Sequence, residues 1–278
     1  MTAGVQAQVP KRSGAAELRA ARAGGYGLAA FNAVNLETAQ AVVRAAQAQR
    51  SAVVLQFSQN AARHAGLHQL AALGLSLKQD ADVPVLLHFD HAESEDAAAE
   101  ALDLGFDGVM LEGDDADVLR RLSSRAHASG GYLEAEYEVV VKGERHGERH
   151  DDPGELLRFV QRSDCDLLAV DIGTAHKQTE KTAQLDFARL EILAALTLLP
   201  LVLHGSSGVP EEQLRRAVTL GISKVNLATD LTLTFTGAVR ASLDVGSSDP
   251  RTYLAAGRGA MQARAEHYIR LLGGAGTA

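Results

Sequence analysis

VPVLLHFDHAESEDAAAEALDLGFDGVMLEG, residues 83–113, holds one complete strand–helix–strand unit. Its first run, 83–89, is apolar almost throughout, as a strand buried on both faces has to be. Alanines, leucines and acids at helical spacing then predict a helix over 94–104, with Glu93 or Glu95 near its start. A second apolar run follows at 108–112. The same alternation recurs on both sides, with strands expected at 27–32, 52–57, 132–137, 166–172, 199–204 and 222–227. Helices are expected at 37–49, 115–128, 186–197 and 210–220, the last with Pro210 at its start. Eight βα units predict an α/β fold closed into a (β/α)8 barrel. An open doubly wound sheet would use the same alternation, but "GLAAFNAVNLE" (27–37) carries no GxGxxG fingerprint.

Two segments stand outside the repeat. "VVVKGERHGERHDDPG" (139–154) is polar and glycine-punctuated, and predicts a long loop after the fifth strand. "SSDPRTYLAAGRGAMQARAEHYIRLLGG" (247–274) predicts an added C-terminal helix. With 278 residues and 46% hydrophobic content, the chain suits one barrel domain over 14–278 behind a flexible leader at 1–13.

Charge and cysteine usage narrow the partners. The net charge is −8 and no basic stripe is present, which argues against nucleic acid. No apolar run reaches 18 residues and the N-terminus lacks the core of a signal peptide, so neither a membrane span nor export is expected. Cys165 is the one cysteine, in an apolar run, which points to a reduced thiol and a cytoplasmic protein.

Polar residues collect at the C-terminal ends of the expected strands, where barrel active sites are built. His91, His176 and His204 follow three different strands, and three imidazoles with an open position match a catalytic zinc site. Taken singly, each could be a hydrogen-bonded rim histidine. His88 shares the face of Asp90 along its strand and is expected inside the barrel as a packing or supporting residue. Asp90 has two readings, an acid–base group or a carboxylate that orients a metal-bound imidazole. "HGSSG" (204–208) and "NLATD" (226–230) place small residues before helix N-termini, which suits an anion.

In this order, "AFNAVNLETAQAVV", "LHFDHAES", "DIGTAHK", "LDFARL", "LVLHGSSGVP", "KVNLATDL" and "DPRTYL" resemble the motifs of the class II fructose-bisphosphate and tagatose-bisphosphate aldolases, from about Tyr26 to Leu272. The resemblance implies a zinc-dependent lyase that reversibly cleaves a ketose 1,6-bisphosphate to dihydroxyacetone phosphate and glyceraldehyde 3-phosphate. His91, His176 and His204 fall on the zinc ligands and Asp90 on the catalytic aspartate. Gly205, Ser207, Ala228 and Thr229 fall on the phosphate cradle, and Asn226 on the asparagine that steadies the enediolate. Asn32 and Ser58 fall on rim positions near the substrate. Arg251 falls on an arginine that reaches a phosphate across a dimer, so a homodimer or homotetramer is implied. Glu134 and Glu136 match strand-five acids, read either as near the metal or as satisfied buried carboxylates. Two departures stand out. The loop after strand five is shortened, leaving Glu144 and Glu148 as loose counterparts of a second proton-handling acid. Lys177 replaces a glycine, where it would contact a substrate phosphate or block backbone contacts to a bound monovalent cation. Alternatives of the same chemistry act on another phosphorylated keto sugar. A zinc hydrolase would use the same barrel, though the HxH pair common after strand one of such enzymes is missing.

Overall fold

The computed structural model describes residues 14–113, 115–136, 153–174 and 180–278. Eight parallel strands close into a barrel in chain order. They are β1 (Leu28–Asn32), β2 (Val53–Ser58), β3 (Val85–Ala92), β4 (Gly108–Leu111), β5 (Tyr132–Glu136), β6 (Leu167–Ala169), β7 (Leu201–Leu203) and β8 (Ile222–Leu227). All eight expected strands are present; β6 is shorter than its apolar run and β3 runs on past its expected end.

Eleven α-helices accompany the strands among the described residues. They are α1 (Gly14–Gly24), α2 (Leu36–Gln49), α3 (Gln59–Ala65), α4 (Leu67–Asp80), α5 (Glu95–Asp103), α6 (Ala116–Ala128), α7 (Pro153–Ser163), α8 (Phe187–Leu196), α9 (Glu211–Thr219), α10 (Thr229–Asp244) and α11 (Pro250–Leu271). Side-chain caps set several starts: Asn35 for α2, Ser94 for α5, Asp115 for α6, Asp186 for α8 and Asp249 for α11 each accept a first-turn N–H. The expected C-terminal helix is α11, which packs against α2 and α10. The expected loop at 139–154 lies outside the described residues except for Pro153 and Gly154, which open α7, and the leader lies outside them altogether.

Alternation along the strands sorts side chains into two cores. Phe31, Leu55, Phe57, Leu87, Phe89 and Leu133 point outward and pack under the helices. Leu28, Val54, Leu86, Tyr132, Leu167 and Val202 point inward at the N-terminal end, where Leu18 and Ala21 of α1 seal the floor. The Tyr132 ring fills that floor so closely that a Cβ on Gly108 would stand 2.2 Å from it, which explains a glycine at the start of β4. Above the apolar floor the interior turns polar, with Gln56, His88, Glu134 and Lys224 all fully buried. No helix among the described residues is long and apolar enough to cross a membrane.

Candidate active site

Asp90 and His91 lie inside β3 and not beyond it. The pairing of β3 with β4 slips between Phe89 and Ala92, and His91 takes a left-handed backbone at φ 54°. A bulge of this kind re-aims side chains, and a non-glycine residue held there stores about 1–3 kcal/mol of strain. Its result is that neighbours Asp90 and His91 both line the same cleft.

That cleft is lined by Asn32, Asp90, His91, Gly205, Ser206, Ser207, Asn226, Ala228 and Thr229. Eight of the residues singled out from sequence are among them. His204 is fully buried beneath His91, their rings edge to face with centroids 5.0 Å apart. Ser58 caps α3 by accepting from Ala61 N at 3.2 Å and stands apart from the cleft-lining set. Arg251 is exposed in the first turn of α11, ion-paired with Asp249 at 2.7 Å, and also stands apart. His176 and Lys177 lie outside the described residues, as do Glu144 and Glu148.

The two described imidazoles fit a cation. His91 Nε2 and His204 Nδ1 face each other at 3.2 Å. Two nitrogens bound tetrahedrally to one zinc at its usual bond length stand about 3.3 Å apart. Each outward nitrogen meets an acid: His91 Nδ1 lies 3.1 Å from Glu112 Oε1, and His204 Nε2 lies 2.8 Å from Glu134 Oε1. Where these two inner nitrogens are unprotonated, their lone pairs are directed at each other. Such a pair is repulsive by itself and is suited to sharing one cation. Among the described residues no group of three His, Cys, Asp or Glu side chains gathers as a metal site, and the third expected ligand is His176.

Behind this pair runs a buried polar chain. Glu134 also accepts from Lys224 Nζ at 2.7 Å, and both side chains are wholly inaccessible. Burial alone would raise the Glu134 pKa, but Lys224 and the His204 hydrogen bond hold it far below the usual carboxylate range. For His204 burial works downward, and the bond to Glu134 outweighs it and raises the pKa. His88 is pushed down to about 3, first by burial and then by Lys224, so it is neutral; it stacks on Tyr132 and lies 3.1 Å from its hydroxyl. The inward, supporting place expected for His88 is thus where it sits.

Asp90 is buried and kept ionised. Burial would raise its pKa, yet its cationic neighbours, His91, His204 and Lys224 foremost, outweigh this and lower it. Asn32 Nδ2 donates to Asp90 Oδ2 at 2.8 Å, and Gln56 supports Asn32 from below at 3.3 Å. Asp90 Oδ1 and Asn226 Oδ1 are buried with no hydrogen-bond partner among the described residues, two acceptors placed to receive hydroxyl or amide donors. Opposite them, Gly205 at φ 63° opens a short 3-10 turn (Ser206–Gly208), and Ala228 caps α10. Backbone N–H groups and a helix N-terminus therefore meet at one end of the cleft, an anion site by its chemistry.

Three contributors escape the sequence reading: Lys224, Glu112 and Gln56. A lysine inside the apolar run "ISKVNL" and a glutamine inside "AVVLQF" are the signals that mark two of them.

The family model described as fructose-bisphosphate aldolase class-II matches residues 13–277. The fructose-bisphosphate aldolase of Geobacillus stearothermophilus is 36% identical, over 94% of this chain and 96% of its own. That of Thermus caldophilus is 35% identical, over 94% and 97%. Among solved structures, the YdjI aldolase from Escherichia coli K12 superposes with a TM-score of 0.81 at 28% identity, covering 100% of both chains.

Proposed function

This chain belongs to the class II fructose-bisphosphate aldolase family, and on that premise we propose that it cleaves fructose or tagatose 1,6-bisphosphate reversibly into dihydroxyacetone phosphate and glyceraldehyde 3-phosphate, with zinc as cofactor. Membership makes it an aldolase, a carbon–carbon lyase, and sets the hydrolase alternative aside. The observation that carries the zinc reading is the 3.2 Å approach of His91 Nε2 and His204 Nδ1, each backed by a carboxylate, beside an ionised Asp90.

In this reading His91, His176 and His204 would hold the ion, which would supply Lewis-acid chemistry to the carbon–carbon cleavage. Asp90 takes the C4 hydroxyl proton on its free Oδ1 in cleavage and returns it in condensation. Asn32 keeps the Asp90 carboxylate turned for that task. Asn226 steadies the enediolate from the cleft wall, and Gly205, Ser207, Ala228 and Thr229 cradle the dihydroxyacetone-phosphate end. Ser58 serves the rim near the substrate. Arg251, exposed and ion-paired with Asp249, would exchange that surface partner for the far phosphate across a homodimer or within a homotetramer. A cytoplasmic location and a monovalent cation near Lys177 belong to the same proposal.

The test is a coupled assay on both bisphosphates before chelation, after it and after zinc is restored. Activity is expected to fall to background on chelation and to return with zinc. Full activity without metal would sink the zinc reading. Inertness toward both sugars, with metal bound, would move the substrate to another phosphorylated ketose.

A further inference from the structure

Each loop of the anion cradle leads into a helix that opens on an acid. Glu211 is the first residue of α9, just past the 3-10 turn, and Asp230 directly follows the cleft residue Thr229 in α10. Either carboxylate suits a helix N-terminus by itself, but Asp230, next to the cleft residue Thr229, opposes a phosphate drawn to the N–H groups of α10.

Helix α11 meets both acids. Arg264 Nε donates to Asp230 Oδ2 at 2.7 Å, and its Nη2 lies 3.7 Å from Glu211 Oε1. His267 Nε2 lies 2.9 Å from the same Glu211 oxygen. The Tyr268 hydroxyl donates to Asp230 Oδ2 and accepts from Arg264 at 3.2 Å and from Lys181 at 3.3 Å. The Arg264 guanidinium also rests 4.6 Å from the centre of the Tyr268 ring, so its direction is set by packing as well as by charge.

Taking the cradle as the phosphate site of the proposed reaction, we propose that Arg264 is a positioning residue for substrate phosphate: it neutralises Asp230 and ties it to Glu211, which Lys181 also meets at 3.5 Å, so that the two cradle loops keep their spacing. The bridge needs a planar fork that reaches two carboxylates on different helices, which a lysine ammonium does not provide. Asp230 carries a charge to be neutralised: burial would raise its pKa, but the hydrogen bonds from Tyr268 and Arg264 outweigh this and lower it.

Calorimetric titration of the zinc-loaded protein with inorganic phosphate and with dihydroxyacetone phosphate tests this, alongside steady-state kinetics. Arg264→Met is expected to weaken phosphate binding on the order of tenfold, as exposing a like charge beside a half-buried anion should. KM should rise with much less change in kcat. The double variant Arg264→Met with Asp230→Asn should recover most of the lost affinity, because the opposing charge is gone. Arg264→Lys keeps the charge without the fork, and gives a second reading at intermediate affinity if the methionine variant folds poorly. Wild-type phosphate affinity in Arg264→Met or Arg264→Lys overturns the proposal, as does a double variant with no recovery. A wild-type protein that ignores phosphate overturns the cradle reading as well.

Discussion

Asp90→Ala should lose turnover by about 10³-fold or more while its zinc content stays near that of the wild type. The carboxylate is buried, ionised, fixed through one oxygen by Asn32 and open through the other, which suits the positioned base proposed above. Its removal deletes the proton acceptor and leaves both described imidazoles and their supporting acids in place. His204→Ala makes the contrast, since it removes one side of the facing nitrogen pair and should lose the metal along with activity. Metal analysis and kcat measured on both variants separate the roles. Wild-type rates in Asp90→Ala would remove it from the reaction, and loss of zinc there would return it to the role of orienting an imidazole.

Lys224→Met should lower stability by about 3–5 kcal/mol, the usual effect of breaking a buried ion pair by removing one partner. In a protein of this size that corresponds to a fall of roughly 6–20 °C in Tm. The cause is the Glu134 carboxylate, which is wholly inaccessible and ionised and would lose the lysine charge, keeping the imidazoles of His204 at 2.8 Å and His88 at 3.7 Å. A double variant, Lys224→Met with Glu134→Gln, removes that charge and should regain much of the loss. Thermal unfolding decides it. A Lys224→Met protein that melts with the wild type would show that water or relaxation supplies what the lysine does.

The strands were legible because a parallel strand covered on both faces must be an apolar run, and "AVVLQF", "VPVLLHF" and "LPLVLH" are such runs. Closure followed from their number. Helix α1 was less so: "GAAELRAARAG" has helical spacing, but its task as the barrel floor depends on Leu18 joining Val54 and Val202 in one buried cluster, which no local pattern carries. Asp90, His91 and His204 stood out as polar residues at apolar strand ends. Lys224 did not, since its partner Glu134 is 90 positions away and only the barrel's register joins them. The bulge at His91 left no local mark either, because a positive φ at histidine follows from tertiary packing and not from the residue type.

The placement of Asp90 and His91 within a hydrogen-bonded strand has one more outcome. On the proposed reading, the groups that set reaction type sit in a strand paired into the barrel, whereas the turn at Gly205 and the start of α10 belong to connections between elements. Changes in those connections would alter how tightly the phosphate end is held without disturbing how a carbon–carbon bond is broken.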